Sequence, residues 1–299
     1  MKKTLIKDLH QRFCDHSLTF KGNTPRTIKW LKEVYKSFIR TTEILYIEEV
    51  DISTLEEWVL KGKLERNWSP KTIRVNMRGL SLFLDWCVQK EYLKANEIKK
   101  IPQPKLPKRV PEHLTKENAQ LLLEWTANYP FTYAFHKARA LAIVSTFLFT
   151  GVRLSELINL KVNDVDIKNK VIFVRAGKGM KDRMIPMHGR LIEPLERYLR
   201  HRQRLKKTCP YFFTALRNDS KMGEKVIPRL FATLKKKSGI YFHPHMLRHT
   251  FAVLSLESGI DIYTLSKIMG HSDIKTTTIY LTATKSQMEK EIMKFNLEF

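Results

Sequence analysis

The sequence predicts a mainly α-helical protein of two domains, the second carrying a small antiparallel β-sheet. Three observations predict it. Through residues 1–103, apolar side chains recur at helical spacing behind clear helix-start signals. The stretch Ile101–Pro111 then packs four prolines and three bases into eleven residues and cannot continue a helix. From Lys168 the apolar period shortens to that of strands before helices resume. A chain of 299 residues is long enough for two hydrophobic cores.

Each element has its own signal. Thr24-Pro25 is an N-cap followed by proline at the first helical position, and Ile28, Leu31, Tyr35 and Phe38 continue the stripe. Ser53-Thr-Leu-Glu56 reads as a capping box opening a short helix through Trp58 and Leu60. Ser69-Pro70 opens a helix with Ile73, Met77, Leu80, Leu84 and Cys87 on one side and Lys71, Arg74 and Arg78 on the other. The proline-rich stretch reads as an extended, semi-rigid basic linker between two domains. Beyond it, Thr115 caps a helix over about 115–128, and a second, apolar nearly all round, runs over about 134–150 and ends at Gly151. Arg153-Leu-Ser-Glu156 starts a short helix. Val171–Arg175 and Arg183–Met187 are strand-like, joined by a turn containing Gly177 and Gly179, and Tyr211–Thr214 reads as a third short strand. Helices follow at about 190–206 and 225–238, then an apolar helix closed by Gly270 at its C′ position. Ser286–Phe299 reads as a last amphipathic helix with Met288, Ile292, Met293 and Phe295 on one face.

Composition narrows the class. Hydrophobic residues make up 43% of the chain, which excludes wholesale disorder. The formal net charge of +24, from 54 basic and 30 acidic residues, repels itself unless a polyanion neutralises it, and nucleic acid is the first candidate. No single amphipathic helix concentrates that charge, which argues against a membrane surface. Cys14, Cys87 and Cys209 lie far apart and read as reduced packing thiols of a cytoplasmic protein. No apolar export signal is visible at the N-terminus, and the run Ala140–Thr150 is too short to span a bilayer.

The chemistry gathers near the end, in His243–Tyr280. His245 and Arg248 are three apart, so a helix puts them on one face; His271 follows Gly270, and Tyr280 closes the β-branched run Thr276–Ile279. With Arg153 and Lys178 these make a set suited to phosphoryl transfer with tyrosine as nucleophile. A phenol of pKa about 10 is a poor nucleophile unless its proton is removed or its anion stabilised. Two guanidiniums can bind the non-bridging oxygens of a phosphodiester bidentately, as divalent metal does elsewhere. His271 can donate to the same oxygens, and His245 is the candidate base toward Tyr280 or a donor to the phosphate. Lys178 can protonate the departing 5′ oxygen, with Lys181 on the same turn as its rival for that role and a DNA contact otherwise. Glu156, one turn after Arg153, is placed to orient a neighbour. His249 follows His245 by four, but Met246 stands where the metalloprotease pattern needs glutamate, so a metal site is not expected and His249 is assigned to hydrogen bonding around the site.

These residues resemble the tyrosine recombinases, or phage-integrase family, and most closely its compact Xer-type members. The motifs are Thr150-Gly-Val-Arg-Leu-Ser-Glu-Leu157, Gly177-Lys-Gly179, His245-Met-Leu-Arg-His-Thr-Phe251, and Gly270-His271 followed by Tyr280. Val152 and Met269 replace the leucines usual there, at similar volume. The resemblance implies a helical, SAM-like core-binding domain over 1–103; in a chain this basic, its face of Lys71, Arg74 and Arg78 is a candidate contact to the phosphate backbone. A linker over 104–112 and a mixed α/β catalytic domain over 113–299 follow, with helix 286–299 making a subunit contact. It implies a site-specific recombinase that cuts one strand through a 3′-phosphotyrosyl link at Tyr280 and rejoins it to a partner duplex, with no cofactor because the bond energy is kept. The substrate would be double-stranded DNA with an inverted-repeat site, held by four like protomers, or with a second related recombinase, through a Holliday junction. The task would be chromosome-dimer resolution or movement of a mobile element. Rival readings are a type IB topoisomerase-like enzyme and a non-catalytic DNA-binding factor.

Overall fold

The computed structural model describes residues 3–107, 111–175, 182–271 and 273–281. The chain divides into two compact units, Met1–Lys108 and Arg109–Phe299, and the division falls within the proline-rich stretch.

The first unit is built from α1 (Ile6–Thr19), α2 (Pro25–Thr42), α3 (Ile52–Leu64) and α4 (Pro70–Gln89). Thr24 and Ser69 cap α2 and α4 as their sequences predict, each side chain accepting from a backbone N–H three residues on, with proline next in line. The cap of α3 differs from the expectation. Asp51, not Ser53, is the N-cap: its carboxylate accepts from Thr54 N at 2.8 Å, and the Thr54 hydroxyl accepts from Asp51 N at 3.1 Å. Two boxes overlap in this stretch, and the one led by an ionised acceptor opens the helix. Phe13, Phe38, Leu55, Trp58, Phe83 and Leu84 fill the core, with Cys14 and Cys87 buried among them as packing groups. The apolar stripe of α4 is buried, which turns Lys71, Arg74 and Arg78 to solvent. They line an open cleft of about 610 Å³ with Lys99 and Gln103.

The second unit is organised on α6 (Ala134–Thr150), buried on nearly every face, against which α5 (Lys116–Asn128), α8 (Gly189–Arg204) and α10 (Pro244–Glu257) pack. Gly151 ends α6 at φ +60°, where a side chain would be strained, and a Cβ there would lie 2.4 Å from the Phe251 ring. The short helix α7 (Leu154–Asn159) follows. Three strands, β1 (Val165–Asp166), β2 (Val171–Val174) and β3 (Arg183–Pro186), form an antiparallel sheet in that order. The fold is thus mainly α with a small antiparallel sheet, but the third strand is β1 and not Tyr211–Thr214. That segment makes only isolated bridges, Tyr211 with Lys161 and Thr214 with Lys221, because its Phe212 and Phe213 are drawn into the core. Val174 opposite Arg183 is the outermost pair of the β2–β3 ladder among the described residues.

The last elements among the described residues are α9 (Val226–Ser238), α10, α11 (Ile262–Met269) and the single turn α12 (Lys275–Thr278). An apolar groove of about 830 Å³ runs between Phe149, Met187, Phe251, Leu254 and Ile260. Lys178, Lys181 and the expected helix 286–299 lie outside the described residues. Among the described residues no helix is long and apolar enough to cross a membrane.

Candidate active site

Arg153, Arg248 and His271 are brought together by the ends of three helices. Arg248 projects from α10 into the interior and is 4% exposed. It donates to the carbonyls of Gly151 at 2.5 Å and Met269 at 2.7 Å, and its Nη2 also donates to His271 Nε2 at 3.0 Å. It therefore ties the turn before Arg153 to the turn before His271. Among the described residues no carboxylate lies at ion-pair distance from it. Burial first, and then the neighbouring Arg153 charge, pull its pKa down to about 10, so it stays charged at neutral pH.

A guanidinium can only donate, so His271 Nε2 must accept, and the proton sits on Nδ1, which donates to the Thr277 hydroxyl at 2.8 Å. His271 is thus a neutral imidazole held from both sides. Burial, then the charges of Arg248 and Arg153, push its pKa down to about 4.

Arg153 sits just before α7 and keeps partial access to solvent. Its Nη1 donates to Glu156 Oε1 at 2.8 Å, its Nη2 to the Gly270 carbonyl at 3.2 Å, and its backbone N–H to Glu156 Oε2 at 2.7 Å. Glu156, whose side chain is 6% exposed, holds a second guanidinium, that of Arg183. Burial alone would raise the Glu156 carboxyl, but hydrogen bonds and charge from Arg183 and Arg153 outweigh it and hold the pKa at about 2. Two guanidiniums thus share one carboxylate and the Arg248 charge lies near them, a buried excess of positive charge.

Tyr280 lies beside them. Its ring packs with Ala252, Val253, Leu256, Leu265 and Met269 and is 2% exposed. The hydroxyl hydrogen-bonds His249 Nδ1 at 2.7 Å. The expected partner, His245, is instead exposed on the first turn of α10. Burial lowers the His245 pKa first, followed by the charges of His243, Arg248 and Arg153. His249 is pushed down to about 4, by burial and then by the charges of His245 and Arg248. Burial raises the Tyr280 pKa, while Arg248 and Arg153 pull the other way and only partly offset it. A neutral imidazole against a protonated phenol keeps the proton on oxygen. Among the described residues no group of three or more His, Cys, Asp and Glu side chains is placed to hold a metal ion.

The depressed imidazoles set a pH dependence of stability. Between about 6.5 and about 4 the unfolded chain binds protons at His249 and His271 that the folded chain refuses, so stability falls as pH falls through that window. His10, held at about 4 by burial first, acts likewise in the first unit. Urea midpoints of wild type and a His249→Asn, His271→Asn double variant, measured from pH 7 to pH 4, should diverge in slope by up to about two protons. Parallel curves would contradict the assignment.

The chain belongs to the phage integrase family, which residues 112–287 match. It is 31% identical to the tyrosine recombinase XerA of Pyrococcus furiosus over 300 aligned residues, covering 99% of this chain and 96% of that protein. A crystal structure of XerA recombinase superposes with a TM-score of 0.54 at 27% identity, covering 98% of this chain and all (100%) of that one. The fold is also that of a lambda integrase tetramer bound to a Holliday junction, with a TM-score of 0.74 at 16% identity over 93% of this chain and 78% of the other.

Proposed function

We propose that the chain is an Xer-type site-specific recombinase in which Tyr280 attacks a DNA phosphodiester. The phenolic oxygen bonds to phosphorus as the bond to the 5′ oxygen breaks, leaving a 3′-phosphotyrosyl link and a free 5′-hydroxyl. A 5′-hydroxyl from a partner duplex then attacks the link and returns the proton to Tyr280. The observation that carries this reading is the buried excess of positive charge next to a tyrosine: Arg153 and Arg183 share the one carboxylate of Glu156, and Arg248 adds a third charge beside them. Such an excess calls for an anion, and a phosphate supplies it.

In this reading Arg153, the more accessible guanidinium, takes the non-bridging oxygens, and Arg248 anchors the two turns while adding its charge. Phosphate entering beside His271 raises the imidazole pKa and makes it a donor to the same oxygens. His245, at the solvent side of α10, is a further donor to phosphate, and Lys178 protonates the 5′ oxygen. Tyr280 has to leave His249 to reach the phosphate, so docking of DNA and release of the tyrosine are one event. Lys71, Arg74 and Arg78 contact the DNA backbone, with Lys181 near the cut. The 1–103 unit is the core-binding domain and 113–299 the catalytic domain, joined by the linker 104–112. The partner is double-stranded DNA with an inverted-repeat site, exchanged within a tetramer in the cytoplasm. Helix 286–299 of one protomer would dock in the apolar groove of its neighbour.

The test is covalent capture. The protein is incubated in EDTA with a duplex that it has itself selected from a randomised pool, nicked near the scissile phosphate so that the cut is trapped. An adduct stable to boiling in detergent is expected without metal or nucleotide. No adduct on any selected duplex would overturn the reading.

A further inference from the structure

Arg183 is a buried charge for which the reaction just described has no use. It opens β3, and a strand-end arginine ordinarily reaches into water. Here the side chain is 8% exposed. Its fork spans both oxygens of Glu156, Nη1 to Oε1 at 2.9 Å and Nη2 to Oε2 at 2.8 Å, while Nε donates to the Ile268 carbonyl at 2.6 Å. The same guanidinium lies against the turn before His271: a Cβ added to Gly270 would sit 2.9 Å from Arg183 Cδ and Nη1. That close approach is a second reason for glycine there, besides φ +65°.

We propose that Arg183 is a positioning residue, holding Arg153 and the His271 turn in register so that both meet the same phosphate. The proposal rests on the phosphoryl-transfer reading above. Glu156 is the shared element: each oxygen accepts once from Arg153 and once from Arg183, so the carboxylate that orients Arg153 is itself oriented from β3. Without Arg183 the buried carboxylate keeps one partner, the Ile268 carbonyl loses its donor, and a void opens beside Gly270. Burying an ion pair is an inefficient way to gain stability, since an apolar pair of the same shape does as well. What the fork supplies is direction, and three donors in a fixed plane are something lysine cannot reproduce.

The test is single-turnover cleavage by wild type, Arg183→Gln and Arg183→Lys on three versions of one selected duplex. The first has an ordinary scissile phosphodiester, the second a methylphosphonate lacking the anionic oxygen, and the third sulfur as the 5′ leaving atom. On the ordinary duplex Arg183→Gln should be slower than wild type by about 100-fold, the effect of a displacement of about 1 Å in a catalytic group, with non-covalent affinity unchanged. The deficit should shrink at least tenfold on the methylphosphonate, which no longer needs Arg153, and persist on the sulfur duplex. Arg183→Lys should not be restored to wild-type rate. The ratio between substrates is independent of how much of a variant is folded. Equal deficits on all three duplexes would reduce Arg183 to a structural role and overturn the proposal, as would a deficit cured only by sulfur or no deficit at all. A wild type that forms no adduct would instead defeat the phosphoryl-transfer reading itself.

Discussion

Arg248→Ala is expected to slow strand cleavage by about 1,000-fold while leaving non-covalent DNA affinity and the midpoint of unfolding almost where they were. The rate falls because a preorganised donor near the developing charge is worth about 100- to 1,000-fold by itself, and Arg248 does more than carry charge. It fixes the Gly151 and Met269 carbonyls and accounts for the orientation of His271. Stability behaves differently. Breaking a buried salt bridge strands its partner and costs about 3–5 kcal/mol. Arg248 has no carboxylate at ion-pair distance among the described residues, so its removal leaves two carbonyls unpaired but also relieves a desolvated charge. The terms oppose each other. Arg248→Lys should recover little of the rate, since one ammonium cannot span both turns. A cleavage rate within tenfold of wild type in Arg248→Ala would contradict this role.

Tyr280→Phe should abolish the covalent adduct altogether, with DNA still bound at wild-type affinity. The ring stays in its apolar niche between α10 and α11, so packing is conserved. The lost hydroxyl leaves His249 Nδ1 without its partner, a cost of about 1 kcal/mol to the catalytic unit. The pair of phenotypes matters more than either alone: full binding with no adduct places the chemistry on the hydroxyl. If adduct persisted in this variant, the nucleophile would be another residue.

Much of this molecule could be read from local sequence, and what could not was set at long range. Thr24-Pro25, Ser69-Pro70 and Thr115 start helices through bonds reaching three residues, and Gly151 and Gly270 end them through their own φ. Such signals need no tertiary context. The strand Val165–Asp166 is two residues long and carries no period to detect. Asp51 and Ser53 both head plausible capping boxes, and the choice between them is a matter of acceptor strength. His245 and His249 are one turn apart on the same helix, so spacing could not say which meets Tyr280. The return of the chain through α11 and α12 decides it. Arg183 was invisible for the same reason. Its partners Glu156 and Ile268 lie 27 and 85 positions away, and in sequence it is one more base in a chain with 54.

The most direct measurement is to digest the trapped protein–DNA adduct and locate the nucleotide-bearing peptide by mass spectrometry. The account predicts one modified residue, Tyr280, carrying the 3′-phosphate of the cleaved strand, with the 5′ end recovered as a free hydroxyl. A nucleotide on any other side chain, or a link through the 5′-phosphate, would contradict it.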